Sequence, residues 1–228
     1  MDTPLSSPPC SLDTISEIKH GFYINLDSRK DRKHHVEQQL ACINLDNVVS
    51  RFSAVKMAQG AVGCSMSHLR CLKKAQENEW EHVVICEDDI EFQQPEVFIE
   101  QLNGFLQSKV EWDVILLAGN VAAPPRPVNK YAVQVVQCQT TTGYIVRKSY
   151  YQTLIDNIKC GIEKLIKEPH LHQIYSIDKY WFQLQERDNW FLIIPLTVVQ
   201  REDYSNIEKR CTNYKRVMLD LEKPYLLS

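Results

Sequence analysis

The chain has 228 residues, of which 44% are hydrophobic, and its formal net charge is −3 at pH 7. This length and apolar content are typical of one globular domain with a substantial core, and the charge gives no electrostatic reason to expect nucleic-acid binding. No apolar run reaches the ~18 residues of a membrane span, and the N-terminus lacks the charged-then-apolar order of a signal peptide, which favours a cytoplasmic location.

Strands and helices are predicted to alternate over the first 120 residues. Residues 1–17 are expected to form a loose arm, because their first part is rich in Pro and Ser. A helix with a helically spaced apolar face is predicted after a turn at 60–63. The predicted strands cover 21–26, 48–55, 83–86 and 112–118, and the predicted helices cover 29–42, 65–77 and 95–106. This alternation predicts an α/β fold with a mostly parallel, twisted sheet and helices on both faces.

The second half is less regular. A proline-containing loop is predicted at 120–130, followed by two short strands that could pair as a hairpin. These two strands cover 132–136 and 141–146. Further helices are predicted at 148–167, 177–185 and 207–219, and further strands are predicted at 190–194 and 196–199. One domain is expected over 18–220, with a tail at 221–228.

The most informative segment is an acidic cluster after an apolar run. Residues 83–86 are apolar and lead directly into Glu87, Asp88 and Asp89. A short apolar run is typical of a buried strand, and a cation is one reason to gather three repelling charges at its end. Carboxylate oxygens select hard ions such as Mg²⁺, Mn²⁺ or Ca²⁺. The alternative is a solvated acidic turn that caps the next helix.

The cysteine and histidine patterns are weaker signals. The eight cysteines include no Cys-x-x-Cys pair, which favours buried free thiols over zinc ligation or disulfides. Cys64 and Cys86 are interpreted as core residues, because no histidine partner is evident at a motif spacing. His170 and His172 are a candidate late metal-ligand pair, although an exposed loop after Pro169 is the favoured interpretation.

A series of segments carries motifs whose order is informative. They are Tyr23 to Asp27 with Arg29, Gly60 to Cys64 with Ser67-His68, Glu87 to Asp89, Trp112 to Gly119, Thr142 to Ile145, Ile177-Asp178, and Gln200 with Tyr204 to Ile207. In this order they resemble glycosyltransferase family 25, which includes bacterial lipooligosaccharide galactosyltransferases and procollagen galactosyltransferases. Two positions depart from the family pattern: Asn206 stands where the family usually has Asp, and Lys179 where it has an acid.

The resemblance implies a GT-A-like fold with a Rossmann-like nucleotide-binding half. It implies a UDP-sugar donor, with galactose or glucose as the sugar, and transfer with inversion to a hydroxyl of a glycan or a collagen-like protein. The implied cofactor is Mn²⁺ or Mg²⁺. Asp89 is the expected metal ligand, with Glu87 as a second ligand or, like Asp88, on the ribose or a metal-bound water.

An inverting transfer needs a general base at the acceptor hydroxyl. The resemblance assigns this role to Asp178. The alternative is an acid that only complements the dipole of a helix N-terminus. Trp181 next to Asp178 is a candidate sugar platform, although aromatics in such segments are more often core residues.

The donor nucleotide is expected at the end of the first strand and at the following helices. Its predicted contacts are Tyr23, Asn25, Asp27, Arg29, Ser67, His68, Glu87 and Asp88. Alternatives remain open for several of these: Asp27 can cap the next helix, and His68 can be structural. Arg32 and Lys33 are expected on a solvated helix face.

Two other functions compete with sugar transfer. The departures at Asn206 and Lys179 leave room for a nucleotide-sugar or glycan-binding module without turnover. The carboxylates alone are also compatible with a metal-dependent phosphohydrolase, a reaction that often needs two metals and more dispersed ligands.

Overall fold

The computed structural model describes residues 12–205 and 210–223. The helices in chain order are α1 (Lys30–Cys42), α2 (Gly60–Glu77), α3 (Pro95–Gln107), α4 (Tyr151–Lys167), α5 (His172–Tyr175), α6 (Ile177–Tyr180), α7 (Phe182–Gln185) and α8 (Lys215–Met218). The strands are β1 (Gly21–Asn25), β2 (Val49–Ser53), β3 (His82–Glu87), β4 (Ile90–Phe92), β5 (Val114–Leu116), β6 (Asn120–Val121), β7 (Arg126–Pro127), β8 (Ala132–Gln134), β9 (Cys138–Gln139), β10 (Gly143–Arg147), β11 (Trp190–Ile193), β12 (Val198–Gln200), β13 (Asp203–Ser205) and β14 (Arg210–Thr212).

Eight strands form the central sheet, in the order β2-β1-β3-β10-β5-β11-β8-β7. Strands β1, β2 and β3 are mutually parallel, as are β5 and β11, whereas β10 and β8 run antiparallel to their neighbours. All strands except β10 and β8 therefore point the same way. The predicted α/β class and the mostly parallel sheet are confirmed.

Helices cover both faces of this sheet, because its central strands are apolar on both sides. Along β3, Val83 and Ile85 belong to a core shared with α2 and α4. Val84 and Cys86 belong to a second core shared with α1 and α3. The alternation follows the two-residue period of a strand, and burial on both faces explains why β3 is continuously apolar.

The start of α2 differs from the prediction. The turn expected at 60–63 is the first turn of the helix, which begins at Gly60. No glycine among the described residues has a positive φ, so a left-handed turn is not the reason for Gly63. A methyl group at Gly63 would lie 2.5 Å from the carbonyl oxygen of Val55. Gly63 is thus required by the close approach of α2 to the loop after β2.

Other differences concern pairing in the second half. The predicted hairpin between 132–136 and 141–146 is wrong, because β8 pairs with β11 and β7, while β10 lies between β3 and β5. The predicted helix at 177–185 is two short helices, α6 and α7. Of the helix predicted at 207–219, residues 207–209 lie outside the described residues, 210–212 form β14 and only 215–218 are helical.

Strand β4 was not predicted, and it determines the surroundings of the acidic cluster. It follows Asp89 directly and pairs antiparallel with β12, and Ile90 is completely buried. The acidic residues therefore lie between two buried strands.

Part of the predicted N-terminal arm is packed against the domain. Leu12 and Ile15 are buried, and the backbone N–H of Ile15 donates to Oδ1 of Asn103 on α3 at 2.7 Å. No helix within residues 12–205 and 210–223 is long and apolar enough to cross a membrane.

Candidate functional site

A cleft of about 840 Å³ opens at the carboxyl ends of β1, β2 and β3. It is lined by the loops after β1 and β2, by the first turns of α2, and by Thr140, Thr141 and Asp178. Glu87, Asp88 and Asp89 also line it. Ligands of α/β proteins bind at this edge of the sheet, where the loops that follow parallel strands converge.

The acidic cluster is not a solvated turn. Asp88 is 7% exposed and Asp89 is 9% exposed, and both are flanked by buried strand residues. Burial of three neighbouring carboxyl groups is costly unless each is paired, hydrogen-bonded or protonated. Their partners therefore indicate what this site is built to hold.

Arg32 of α1 binds two of these acids. Its Nη1 lies 3.0 Å from Oδ1 of Asp88 and 3.1 Å from Oδ2 of Asp89, and its Nε lies 3.0 Å from Oδ2 of Asp203. The prediction of a solvated helix face is wrong for Arg32, whose side chain is only 12% exposed. It is right for Lys33, which is exposed. One arginine thus links three carboxylates at the edge of the cleft.

Asp89 retains an unsatisfied oxygen. Its Oδ1 is buried and has no hydrogen-bond partner among the described residues. Burial first, and then the charge of Glu87, raises the pKa of Asp89 to about 7, although Arg32 acts against this shift. The carboxyl group thus favours a proton or a cation at this oxygen, and its chemistry fits Mg²⁺ or Mn²⁺.

Glu87 is the centre of a separate network. Its Oε1 accepts a hydrogen bond from Oγ1 of Thr141 at 2.6 Å and from Sγ of Cys64 at 3.4 Å, and it lies 3.3 Å from Nε2 of His68. Nδ1 of His68 lies 2.8 Å from the hydroxyl of Tyr144. Burial alone would raise the pKa of Glu87, but the hydrogen bond and charge of His68 lower it overall.

Cys64 is part of this network, contrary to its interpretation as a core residue. It is half-buried and lines the cleft, and His68 follows it four residues later on the same face of α2. Burial raises the pKa of Cys64 well above its usual value, so the thiol stays protonated and donates a hydrogen bond to Glu87. Cys86 is buried in the core as expected.

Ser67 and His68 do not open α2. They lie about two turns after its start at Gly60. The hydroxyl of Ser67 accepts from the backbone N–H of Val55 and donates to the carbonyl of Gly63, both at 2.8 Å. Ser67 therefore joins the loop after β2 to α2 while also lining the cleft.

The predicted contacts at the end of β1 line a cavity other than the main cleft. Tyr23, Asn25 and Asp27 all line a second cavity of about 820 Å³ beside α1 and β2. Asn25 also donates to Oδ2 of Asp88 at 2.6 Å, so it orients that acid. The Tyr23 hydroxyl donates to Glu37 at 2.6 Å, and Asp27 pairs with Arg51 at 2.6 Å. The structure thus places Tyr23 and Asp27 outside the main cleft.

Arg29 lines the main cleft. Its Nη2 lies 2.8 Å from Asp31 and 2.6 Å from Asp203. Asp203, on β13, is therefore shared by Arg29 and Arg32 and fixes both guanidinium groups beside the acidic cluster. Nothing in its local sequence indicated this role.

Asp178 lines the cleft at the start of α6, a helix that contacts α2. Its Oδ2 accepts a hydrogen bond from the backbone N–H of Thr140 at 3.2 Å, and burial raises its pKa. Thr140 has a φ of 79°, which costs a β-branched residue free energy and is typical of functional sites. Lys179 also lines the cleft, and burial lowers its pKa.

The remaining candidate residues have clear positions. Trp181 is completely buried and donates from Nε1 to the carbonyl of Cys138 at 3.0 Å, so the interpretation as a sugar platform is wrong. His170 is exposed, and His172 is exposed at the edge of the cleft. Asn206 lies outside the described residues.

Comparison with known proteins identifies related sequences. The profile of the family described as Glycosyltransferase family 25 (LPS biosynthesis protein) matches residues 44–167. Procollagen galactosyltransferase 2 of Homo sapiens is 22% identical in an alignment of 202 positions that covers 73% of this chain and 32% of the human protein. Probable inactive glycosyltransferase 25 family member 3 of Rattus norvegicus is 26% identical over 133 residues, which are 57% of this chain and 22% of the rat protein.

The chain therefore spans about a third or less of the length of these relatives. Among solved structures, A197 from STIV has a TM-score of 0.47 and 11% identity, with 85% of this chain and 92% of that chain covered. A mutant Drosophila β1,4-galactosyltransferase 7 in complex with manganese, UDP-Gal and xylobiose has a TM-score of 0.40 and 8% identity, with 91% and 76% covered.

Proposed function

Because the chain belongs to glycosyltransferase family 25, we propose that it transfers a sugar from a UDP-sugar to a hydroxyl acceptor, with inversion and with the help of a divalent cation. The observation that carries this proposal is one cleft that contains both the Glu87-Asp88-Asp89 cluster and Asp178. The cluster supplies a place for a cation and a diphosphate, and Asp178 supplies a base in the same cleft.

Asp89 is the residue proposed to hold the cation. Its buried Oδ1 is without a partner among the described residues, and the neighbouring Glu87 is the second candidate ligand. A bound Mn²⁺ or Mg²⁺ supplies neutralising charge to a leaving diphosphate without proton transfer. Asn25 and Arg32 hold the adjacent Asp88 in place.

The start of α2 is proposed to bind the phosphates. Gly60 and Ala61 line the cleft, and the preceding Gln59 makes no side-chain cap hydrogen bond. The first backbone N–H groups of a long helix attract anions. Arg29 and Lys56 also line the cleft and add positive charge to it. Ser67 fixes the loop that carries Lys56, because it bonds the backbone of Val55.

Asp178 is proposed as the general base. An inverting displacement needs a carboxylate that takes the proton of the acceptor hydroxyl as the new bond forms. The raised pKa of Asp178 makes its carboxylate a better proton acceptor than an exposed aspartate. The hydrogen bond from Thr140 fixes one oxygen, which orients the carboxyl group towards a defined acceptor position. Lys179 contributes a neighbouring positive charge.

A second candidate is a nucleotide-sugar or glycan-binding module without turnover. It is favoured by the contacts of Arg32 with Asp88 and Asp89, because a resident guanidinium already neutralises the acids that a metal would use. One similar rat protein is named probable inactive. In this case donor binding occurs and no sugar is transferred to any acceptor.

The two functions are separated by measuring UDP release from a panel of UDP-sugars with Mn²⁺, with glycan and collagen-like peptide acceptors. The variants are Asp89→Asn and Asp178→Asn, and the matched control is Asp156→Asn on the exposed face of α4. Acceptor-dependent release that persists in the control and is lost in both site variants supports the transferase. Calorimetric UDP binding without release supports the binding module, and release unchanged in Asp89→Asn contradicts the proposed site.

A further inference from the structure

Cys64, His68 and Glu87 bring three different metal-ligating atoms together beside the acidic cluster. The thiol sulfur, an imidazole nitrogen and a carboxylate oxygen all lie within 4.8 Å of one another. Oε1 of Glu87 is 3.3 Å from Nε2 of His68 and 3.4 Å from Sγ of Cys64. None of these three atoms belongs to the Asp89 carboxyl group proposed above for a hard cation.

The two separations from Glu87 match the edges of a tetrahedral zinc site, and the third, between Cys64 and His68, is within 4.8 Å. Zinc bonds of about 2.0 Å to nitrogen or oxygen and about 2.3 Å to sulfur place tetrahedral ligands about 3.3–3.6 Å apart. Cys64 and His68 are four residues apart on α2, so one helix face presents both without backbone rearrangement. A central ion would need only small side-chain movements.

The outer contacts also suit a metal site. Metal-ligating histidines usually bond a second group through their other ring nitrogen, which fixes the ring. Nδ1 of His68 lies 2.8 Å from the Tyr144 hydroxyl, and Thr141 donates to Glu87 at 2.6 Å. Cys64 and Glu87 line the cleft, so the fourth position of a tetrahedral ion would face the cleft and accept water or a substrate oxygen.

We propose that Cys64, His68 and Glu87 form a binding site for a thiophilic divalent ion, Zn²⁺, which shares Glu87 with the hard-cation site but does not use Asp89. Thiolate and imidazole select such an ion over Mn²⁺ and Mg²⁺. On binding, the thiol proton of Cys64 and the Nε2 proton of His68 leave to solvent as the metal bonds form, His68 keeps its one ring proton on Nδ1 beside the Tyr144 hydroxyl, and no electron is transferred. The ion also replaces the hydrogen bonds that Cys64 and His68 make to Glu87.

Zn²⁺ binding at this site does not depend on the proposed function. Only the predicted effect of Zn²⁺ on catalysis rests on it. If the chain is a transferase, Zn²⁺ inhibits it, because the ion engages Glu87 and narrows the donor cleft. Binding itself is independent of any transfer activity and can be measured alone.

The binding test uses Cd²⁺ and Co²⁺ as spectroscopic substitutes for Zn²⁺. The parent protein carries Ser in place of Cys10, Cys42 and Cys211, the last two of which are exposed. We expect one equivalent of Cd²⁺ to produce sulfur-to-metal charge-transfer absorption, and Co²⁺ to produce the visible spectrum of a tetrahedral site. Cys64→Ser removes both signals, whereas the control Cys160→Ser, on α4, preserves them.

A conservative change behind the ligands tests the geometry. Tyr144→Phe removes only the hydroxyl that bonds His68, and it should weaken Zn²⁺ competition against Cd²⁺ by about 10–100-fold. Absence of both spectra in the parent, or spectra unchanged in a folded Cys64→Ser variant, overturns the proposal. Mn²⁺-dependent sugar transfer that persists in the same preparations would show that the transferase proposal survives this failure.

Discussion

Replacement of Arg32 by Gln removes the cation that connects Asp88, Asp89 and Asp203. The four side chains are 10–20% exposed, so solvent screens their charges only weakly. Loss of one partner of a buried ion pair costs about 3–5 kcal/mol, because the remaining charge is left uncompensated. We expect a loss of this size at pH 7 in urea unfolding with a chelator present, which is a large part of the stability of a typical domain.

The expected loss depends on pH with a definite sign. Without Arg32 the folded-state pKa values of the buried acids rise further, and Asp89 is already raised to about 7. Raised carboxyl pKa values give stability that is present at low pH and disappears as pH increases through the folded-state value. The difference between wild type and Arg32→Gln should therefore be smaller at pH 5 than at pH 7.

Lys33→Gln is the matched control for this experiment. Lys33 is adjacent in sequence, its side chain is 46% exposed, and it lies 3.5 Å from Glu37 across one helical turn. Such exposed pairs contribute about 0.3–0.5 kcal/mol. A loss in Arg32→Gln no larger than that in Lys33→Gln, or a loss that grows towards low pH, would refute the assignment of Arg32 as the buried counter-ion.

Three further predictions concern single residues. Mn²⁺ at about 100 times its dissociation constant should stabilise the wild type by about 2.7 kcal/mol in thermal unfolding, and Asp89→Asn should abolish this effect. Asp178→Asn should lower kcat about 10²–10⁴-fold while calorimetric UDP binding persists. The wild-type kcat should fall as pH decreases, with an apparent pKa above that of an ordinary aspartate, because the base must be deprotonated. Gly63→Ala should cost about 1–3 kcal/mol in urea unfolding, because its methyl group meets the Val55 carbonyl, and Gly60→Ala should cost less.

Local patterns were sufficient for the long elements. The bounds of α1, α3 and β3 follow the prediction within about two residues, because apolar runs, helical spacing and the proline at the start of α3 act within a short segment. Strand β4 was missed, since three residues with one polar member carry too little signal. The position of β10 between β3 and β5 depends on long-range pairing, which no local pattern encodes.

The candidate site shows the same difference between local patterns and long-range contacts. The acidic cluster was noticed because its three acids are adjacent in the sequence, and Asp178 was named from the family resemblance. Arg32 was placed on a solvated face because its partner Asp203 is 171 residues away in the sequence. Thr141, which donates to Glu87, is 54 residues from it. Contacts of this kind arise from the sheet order, so sequence reading could name the acids but could not identify the groups that hold them.

Arg32 also separates a transferase from a binding module. A guanidinium and a divalent cation compete for the same negative charge at Asp89, since Arg32 contacts Oδ2 while Oδ1 is without a partner among the described residues. If Mn²⁺ binds at Asp89, Arg32→Gln should tighten Mn²⁺ binding in calorimetry, because the competing charge is gone.

The contrary result is equally informative. If Arg32→Gln leaves Mn²⁺ affinity unchanged or abolishes it, the arginine does not compete with a metal at this carboxylate. Measured beside Lys33→Gln, which leaves the acidic cluster intact, an unchanged affinity would mean that Mn²⁺ does not bind at Asp89, whose charge Arg32 alone neutralises in the wild type. The metal-assisted mechanism would then lose its principal ligand, even if the cleft still binds a nucleotide sugar.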